Sequence, residues 1–433
     1  RVRPGSDDEL VEAATGVLNK NTGVEVTTDS LFQIGSMTKV WTATLALQLV
    51  DEGVLDLDAP IIQVLPELQL GNPDVAKQVT MRQLLTHTSG IDGDVFTDTG
   101  RGDDCLEKYV DGLAEVGQNH PLGATWSYCN SGFSLAGRVI EKLTGKTWDQ
   151  ALRERLIVPL KLDHTVTLPE EALMYRAAVG HEGEGGEEPS VAPVWGLPRS
   201  LGPAGLVTST VADALGFARL HLQGGVAPDG SRVLSEASVA AMAEKHAELP
   251  DKYSLGDSWG LGWIRFDWDG HRLIGHDGNT IGQAAFLRVL PSEGLAVTLL
   301  TNGGNTRDLY QELYAEIFSE LADVAMPAPL AAPAEPPVVD LLRHVGRYER
   351  ASSLQEVFVR DGEAVLRMTT TGPLAELTPE PSHEFVMTPV DSSGDLFVLR
   401  QPGALTWIPL TFYTLSTGEK YLHCGVRATP KVG

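Results

Sequence analysis

The hydrophobic pattern is dominated by Val40-Trp-Thr-Ala-Thr-Leu-Ala-Leu-Gln-Leu-Val50, apolar on nearly every side and followed by Gly53. Such a run predicts a buried helix beginning at about Ser36, with a glycine just past its end. Upstream, residues 8–34 alternate short apolar runs with turn chemistry at Asn19–Gly23 and Thr27–Ser30, which predicts a strand, a turn and an approach into that helix. Downstream, Ile61–Leu65 reads as helical and Thr80 caps a short helix. An amphipathic helix follows Tyr128-Cys-Asn130 through Leu143, and further helices cover Trp148–Ile157 and Ser209–Leu222. From Trp259 the period changes. Gly260–Phe266, Arg272–Gly278, Ala284–Leu290 and Leu295–Leu300, joined by tight turns, predict an antiparallel sheet, and a helix from Asp308 to about Asp323 closes it.

Met326-Pro-Ala-Pro-Leu-Ala-Ala-Pro-Ala-Glu-Pro-Pro337 reads as a stiff linker. Beyond it, Glu356–Arg360, Ala364–Met368, Leu396–Arg400 and Leu410–Tyr413 alternate between turns and predict a small all-β barrel. The expected architecture is α/β. An antiparallel sheet flanked by helices, with a mostly helical insert, occupies 1–325; a linker occupies 326–340 and the barrel 341–433. Residues 91–104 form a loop that could cover a site. His181–Glu188 is an acidic, mobile stretch whose glycines are no phosphate loop, because the neighbouring carboxylates repel phosphate.

Composition changes this picture only by exclusion. With 42% hydrophobic and 21% charged residues among 433, the chain is an ordinary globular one, and a net charge of −25 disfavours nucleic acid and anionic membrane surfaces as partners. No apolar run reaches membrane-spanning length. Cys105, Cys129 and Cys424 are too dispersed for a disulfide framework or a metal knuckle. No H-x-x-x-H or Cys-His cluster is present, so neither a metal nor a cofactor is expected. A cytoplasmic location is expected, with a removed leader or secretion left open because the chain starts at Arg1.

The candidate chemistry sits at the predicted helix start. Ser36 and Lys39 are three residues apart, about 300° around a helix, so their side chains are neighbours. A lysine in an apolar setting moves toward neutrality and can take a serine proton, the S-x-x-K arrangement of serine acyl-enzymes. Taken alone, the pair is far more ordinarily a capping serine beside a solvated lysine, so the reading depends on partners downstream. Tyr128 and Asn130 could relay a proton and orient a carbonyl, or be a buried phenol beside a turn-forming amide. His87 could be catalytic, but a buried histidine bonding the backbone at its turn is the more ordinary reading. A G-x-S-x-G elbow, which an α/β-hydrolase needs, is absent.

Ser36-Met-Thr-Lys39, Tyr128-Cys-Asn130 and His276-Asp-Gly278 occur in that order, together with Leu85-Thr-His-Thr-Ser-Gly-Ile91, Pro159-Leu160 and Thr301-Asn302. Over residues 8–325 the chain resembles the serine β-lactamase and DD-peptidase superfamily, in particular its class C branch with the related esterases and D-aminopeptidases. The resemblance implies a β-lactamase/transpeptidase-like fold. It implies Ser36 as nucleophile, Lys39 as base, Tyr128 as proton shuttle and Asn130 as substrate-orienting amide. The N–H groups of Ser36 and Asn279 would form the oxyanion hole, and Gly278 would line the substrate. His276 stands where many members carry Lys, which weakens the positive charge facing a substrate carboxylate. Cys129 reads as a small buried side chain. The barrel resembles the lipocalin-like tail of some members, among them transacylases and penicillin-binding-protein-type thioesterases that release and cyclise peptides. By that resemblance Arg427 is the candidate for binding a carboxylate. The expected function is a serine acyl-transferring enzyme acting on an ester, thioester or amide, with water or an amine as acceptor. Its partners would be a small-molecule or peptidyl substrate and a peptide-synthetase carrier domain. The alternatives are a D-aminopeptidase, DD-carboxypeptidase or esterase, and a non-catalytic penicillin-binding module.

Overall fold

The computed structural model describes residues 9–183, 188–372, 375, 381–401 and 403–432, so the centre of the acidic stretch, 184–187, lies outside the described residues. A 3-10 turn at Gly35–Met37 leads into the helix Thr38–Asp51, every residue of which is buried through Leu49. The α-helix thus begins at Thr38, and Ser36 sits inside the tight turn without capping it. A helix this enclosed must satisfy its polar groups internally. Thr42 Oγ1 donates to Pro203 O at 2.7 Å, Trp148 Nε1–H donates to Thr42 Oγ1 at 3.2 Å, and Thr44 Oγ1 donates to Val40 O at 2.8 Å.

The sheet is a six-stranded antiparallel meander. Its strands are Ala247–Glu248, Ser258–Trp259, Ile264–Trp268, His271–Thr280, Gln283–Leu290 and Leu295–Thr301, each paired with its chain neighbour. Side chains alternate across it. Ile274, Ala285, Leu287 and Val289 join the large core that holds the helix Thr38–Asp51, whereas Leu273, Phe286, Leu290 and Leu295 join a second core beneath the helix Thr306–Ala322. Both faces are covered, which is why Gln283–Leu290 is buried at every position rather than at alternate ones. The helix Asn130–Thr144 packs in the large core and ends at Gly145 with φ +67°, a left-handed cap.

The C-terminal strands Gly346–Arg350, Ser353–Arg360, Glu363–Thr370, Ser382–Pro389, Leu396–Leu399, Ile408–Thr414, Lys420–Cys424 and Arg427–Val432 form a closed barrel. Closure is through Arg347↔Val432 and Tyr348↔Lys431. Leu366, Phe397, Leu410, Phe412 and Leu422 pack together in its own core. No described helix is long and apolar enough to cross a membrane.

Candidate active site

Lys39 is completely buried, and its Nζ lies 3.1 Å from Ser36 Oγ, 2.8 Å from Asn130 Oδ1 and 2.7 Å from Ala204 O. Burial first, and then the nearby charge of Arg427, hold its pKa well below the ordinary lysine value. A neutral amine has two N–H donors and one lone pair. The two carbonyl-type oxygens can only accept, so they take both donors, and the lone pair is left for the one partner that carries a proton, the Ser36 hydroxyl. Lys39 Nζ and Ser36 Oγ thus lie within hydrogen-bond reach of each other.

Tyr128 and Asn130 enter from the segment leading into the helix Asn130–Thr144. Lys39 Nζ stands 4.7 Å from the centre of the Tyr128 ring. Burial raises the Tyr128 phenol above its usual pKa, only partly opposed by the Ser36 hydroxyl and Arg427. The shift favours the protonated phenol, the form that suits a proton relay. Asn130 Oδ1 is engaged by Lys39, which leaves the amide NH2 to meet a ligand. His87, with φ +58°, accepts the Cys129 N–H at Nδ1 (2.9 Å) and stacks on Tyr128 with ring centres 4.3 Å apart. It is thus the backbone-bonding histidine of the more ordinary reading. Cys129 turns inward: its thiol donates to Ile91 O at 3.2 Å, its sulfur accepts the Gly132 N–H at 3.1 Å, and burial pushes its pKa up to about 12.

The strand His271–Thr280 passes directly behind the Ser36 turn. A Cβ on Gly278 would sit 1.9 Å from Ile34 O and 3.0 Å from Ser36 N, and one on Gly35 would sit 2.7 Å from Asn279 N. Only glycines permit this approach, which brings the amides of Ser36 and Asn279 into one small region as an oxyanion hole requires. His276 is buried, and its Nδ1–H donates to Asp277 O at 2.5 Å. Burial, reinforced by Lys39, pushes its pKa down to about 3, so the ring is neutral and its Nε2 is an acceptor. Asp277 serves structure: it pairs with Arg288 at 2.6 Å and Arg307 at 3.1 Å, while Arg288 lies 4.1 Å over the Phe266 ring.

The barrel is built into this region through its last hairpin. Tyr128 N–H donates to Val426 O at 3.0 Å, and Ala428 N–H donates to Ser127 Oγ at 3.1 Å. Gly425 and Val426 both have positive φ, +55° and +62°, as a two-residue primed turn demands. Arg427 places its guanidinium 4.9 Å over the Tyr128 ring. Its charge is met by Asp94, with Nη2 at 2.7 Å, and Asp94 also receives Arg350 from the barrel's first strand. Burial opposes the Asp94 carboxylate, but the two arginines outweigh it and hold the group ionised below the usual carboxylate range. Sequence reading missed Asp94, Arg350 and the Ala204 carbonyl. Asp92-Gly-Asp94 was visible as part of a covering loop, but nothing local reveals partners more than 250 residues away.

The Beta-lactamase family pattern matches residues 5–321, and the chain belongs to that family. It is an enzyme of the serine hydrolase class, with penicillin-binding proteins and amidases among its relatives. Penicillin-binding protein 4 of Amycolatopsis lactamdurans is 52% identical over 346 residues, spanning 79% of this chain and 91% of that one. The crystal structure of SurE matches with TM-score 0.76 and 29% identity over 100% of this chain and 93% of that chain, and SurE with D-Leu matches with TM-score 0.74. The D-amino acid amidase from Ochrobactrum anthropi SV3, complexed with L-phenylalanine, matches with TM-score 0.57 and 27% identity over 70% of this chain and 84% of that chain.

Proposed function

We propose that the protein forms an acyl-enzyme on Ser36 and passes the acyl group to an amine that carries a carboxylate, with water as the competing acceptor. Neutral Lys39 takes the Ser36 proton as Oγ attacks the carbonyl carbon of an ester, thioester or amide. The oxyanion is held by the Ser36 and Asn279 N–H groups, and the Asn130 amide donates to the substrate. The proton held by Lys39 reaches the leaving group through the Tyr128 phenol, and the bond to the leaving group breaks. In the second half the acceptor amine attacks the carbonyl carbon of the Ser36 ester, its proton passes through Tyr128 and Lys39 to Ser36 Oγ, and the bond between Oγ and the acyl carbon breaks to release the amide and the free serine.

The observation that carries this reading is the barrel's Arg427 lying 4.9 Å over the Tyr128 ring. With His276 neutral, the position where, by the family resemblance, many members carry Lys offers no permanent cation, and the Arg427 guanidinium beside Tyr128 can supply one. A carboxylate bound there raises the acceptor's effective concentration against water. SurE with D-Leu and the D-amino acid amidase, both similar in structure to this chain, fit an amino-acid-like ligand. The amidase and the penicillin-binding protein among the relatives favour the second reading, in which water is the ordinary acceptor and a peptide or amide is cleaved. The two are separated by the amide-to-acid product ratio at a fixed amine concentration. The transfer reading expects Arg427→Ala to lower that ratio by about tenfold or more; an unchanged ratio returns the enzyme to hydrolysis.

A further inference from the structure

Three walls fix the Arg427 guanidinium. Its Nε–H and Nη2–H fork closes on Asp94, with Nε at 3.3 and 3.2 Å from the two carboxylate oxygens and Nη2 at 2.7 Å from Oδ1. Its Nη1–H donates to Gly425 O at 3.2 Å, and the Tyr128 ring lies against its face. An arginine has five N–H donors, so one on Nη2 and one on Nη1 remain beyond these contacts. Asp94 is itself held. Its N–H donates to Asp92 Oδ1 at 3.1 Å, its carbonyl accepts Ser352 Oγ at 3.0 Å, and its carboxylate also meets Arg350. Between the two acids, a Cβ on Gly93 would sit 2.6 Å from both Cys129 Cα and Tyr128 O, so only glycine lets this loop lie on the Tyr128 backbone. Asp92 completes the clamp by accepting the Ala351 N–H at 2.6 Å.

We propose that Asp94 is a positioning residue that aims the end-on edge of Arg427 at the acceptor carboxylate and thereby sets the preference for carboxylate-bearing amines over capped ones. The inference rests on the reading of Arg427 as the carboxylate clamp. Asp94 shares its one charge between two arginines, so it neutralises Arg427 only in part and leaves some of that charge for an incoming anion. It also denies that anion the side-on fork, so a carboxylate must enter along the edge that remains open. Acceptors are thereby selected by the direction of approach as well as by charge.

The test is acyl partition from a small activated ester, with D-leucine or D-leucinamide as acceptor at equal concentration, in wild type, Asp94→Asn, Asp94→Glu and Arg427→Ala. The readout is the preference, the transfer-to-hydrolysis ratio with D-leucine divided by that with D-leucinamide. Asp94→Asn should lower the preference by about tenfold, because the guanidinium loses its ionic anchor. Asp94→Glu keeps the charge across the barrel contact but moves the carboxylate by one methylene. It should still lower the preference by about threefold or more, since roughly an ångström of misplacement is enough to matter. An ion pair that only docks the barrel would be rescued by Glu and would move both acceptors alike; that outcome overturns the proposal. A preference lost in Arg427→Ala but kept in both Asp94 variants removes Asp94's role alone. A preference that survives Arg427→Ala removes the clamp on which the proposal rests. If Asp94→Asn does not fold, the Glu variant decides.

Discussion

Replacing Lys39 by Met separates the chemistry of the buried amine from its contribution to folding. Met is similar in length, fills the apolar slot and offers no useful proton acceptor. The amine contacts Ser36 Oγ, Asn130 Oδ1 and Ala204 O at 3.1, 2.8 and 2.7 Å. Losing a positioned base costs about 10²–10⁴ in rate, or about 3–5 kcal/mol of barrier. Losing its two donated hydrogen bonds costs about 1 kcal/mol each, offset by removal of a desolvated amine, so folding should weaken by no more than about 2 kcal/mol. The assay is the first-turnover burst from an activated ester as a function of pH, with urea unfolding alongside. In the wild type the burst rate should rise with pH as Lys39 loses its proton, at a pH below the ordinary value of 10.5 because burial lowers it. Since the folded pKa lies below the unfolded one, the unfolded chain binds more protons between the two values, and stability also rises with pH across that window. Lys39→Met should lose both slopes. A variant that acylates within about tenfold of wild type, with the same limb, would refute Lys39 as the base.

Tyr128→Phe should also cut turnover by about a hundredfold, and the Lys39/Tyr128 double variant should be little worse than either single one; losses that multiply would mean separate proton paths. Gly278→Ala drives a Cβ to 1.9 Å from Ile34 O, so it should shift the strand off the Ser36 turn and cost about 1–3 kcal/mol in urea unfolding together with most of the activity. Asp277→Asn leaves the buried Arg288 without its full counter-charge and should cost about 3–5 kcal/mol by the same measurement. Burial opposes the Asp277 charge, but Arg288 and Arg307 hold its pKa below the ordinary 3.8. Its contribution is therefore complete above that value and lost as pH falls through the folded one, and the variant should show less acid destabilisation than wild type.

Much of the site was legible because its chemistry is local. Ser36 and Lys39 are one helical turn apart, Tyr128 and Asn130 lie two apart, and the apolar run after Lys39 announces the burial that tunes it. The sheet strands appeared within a few residues of their observed ends, because their alternation and turns are short-range signals. The short strands Ala247–Glu248 and Ser258–Trp259 did not, since two residues carry no period. The class of enzyme and the barrel were likewise readable. Asp94 was not, because its role comes from where the barrel docks, and no local pattern links a loop aspartate to Arg350 and Arg427. The Ala204 carbonyl is invisible in principle: any residue there offers the same oxygen, and only the fold brings it within 2.7 Å of Lys39.

Both halves of the proposed reaction pass through a covalent acyl-enzyme on one serine. Intact-mass spectrometry after exposure to an activated ester should show a single adduct, and peptide mapping should place it on the fragment containing Ser36, with no adduct in Ser36→Ala. Labelling at another residue, or undiminished turnover by Ser36→Ala, would contradict the account.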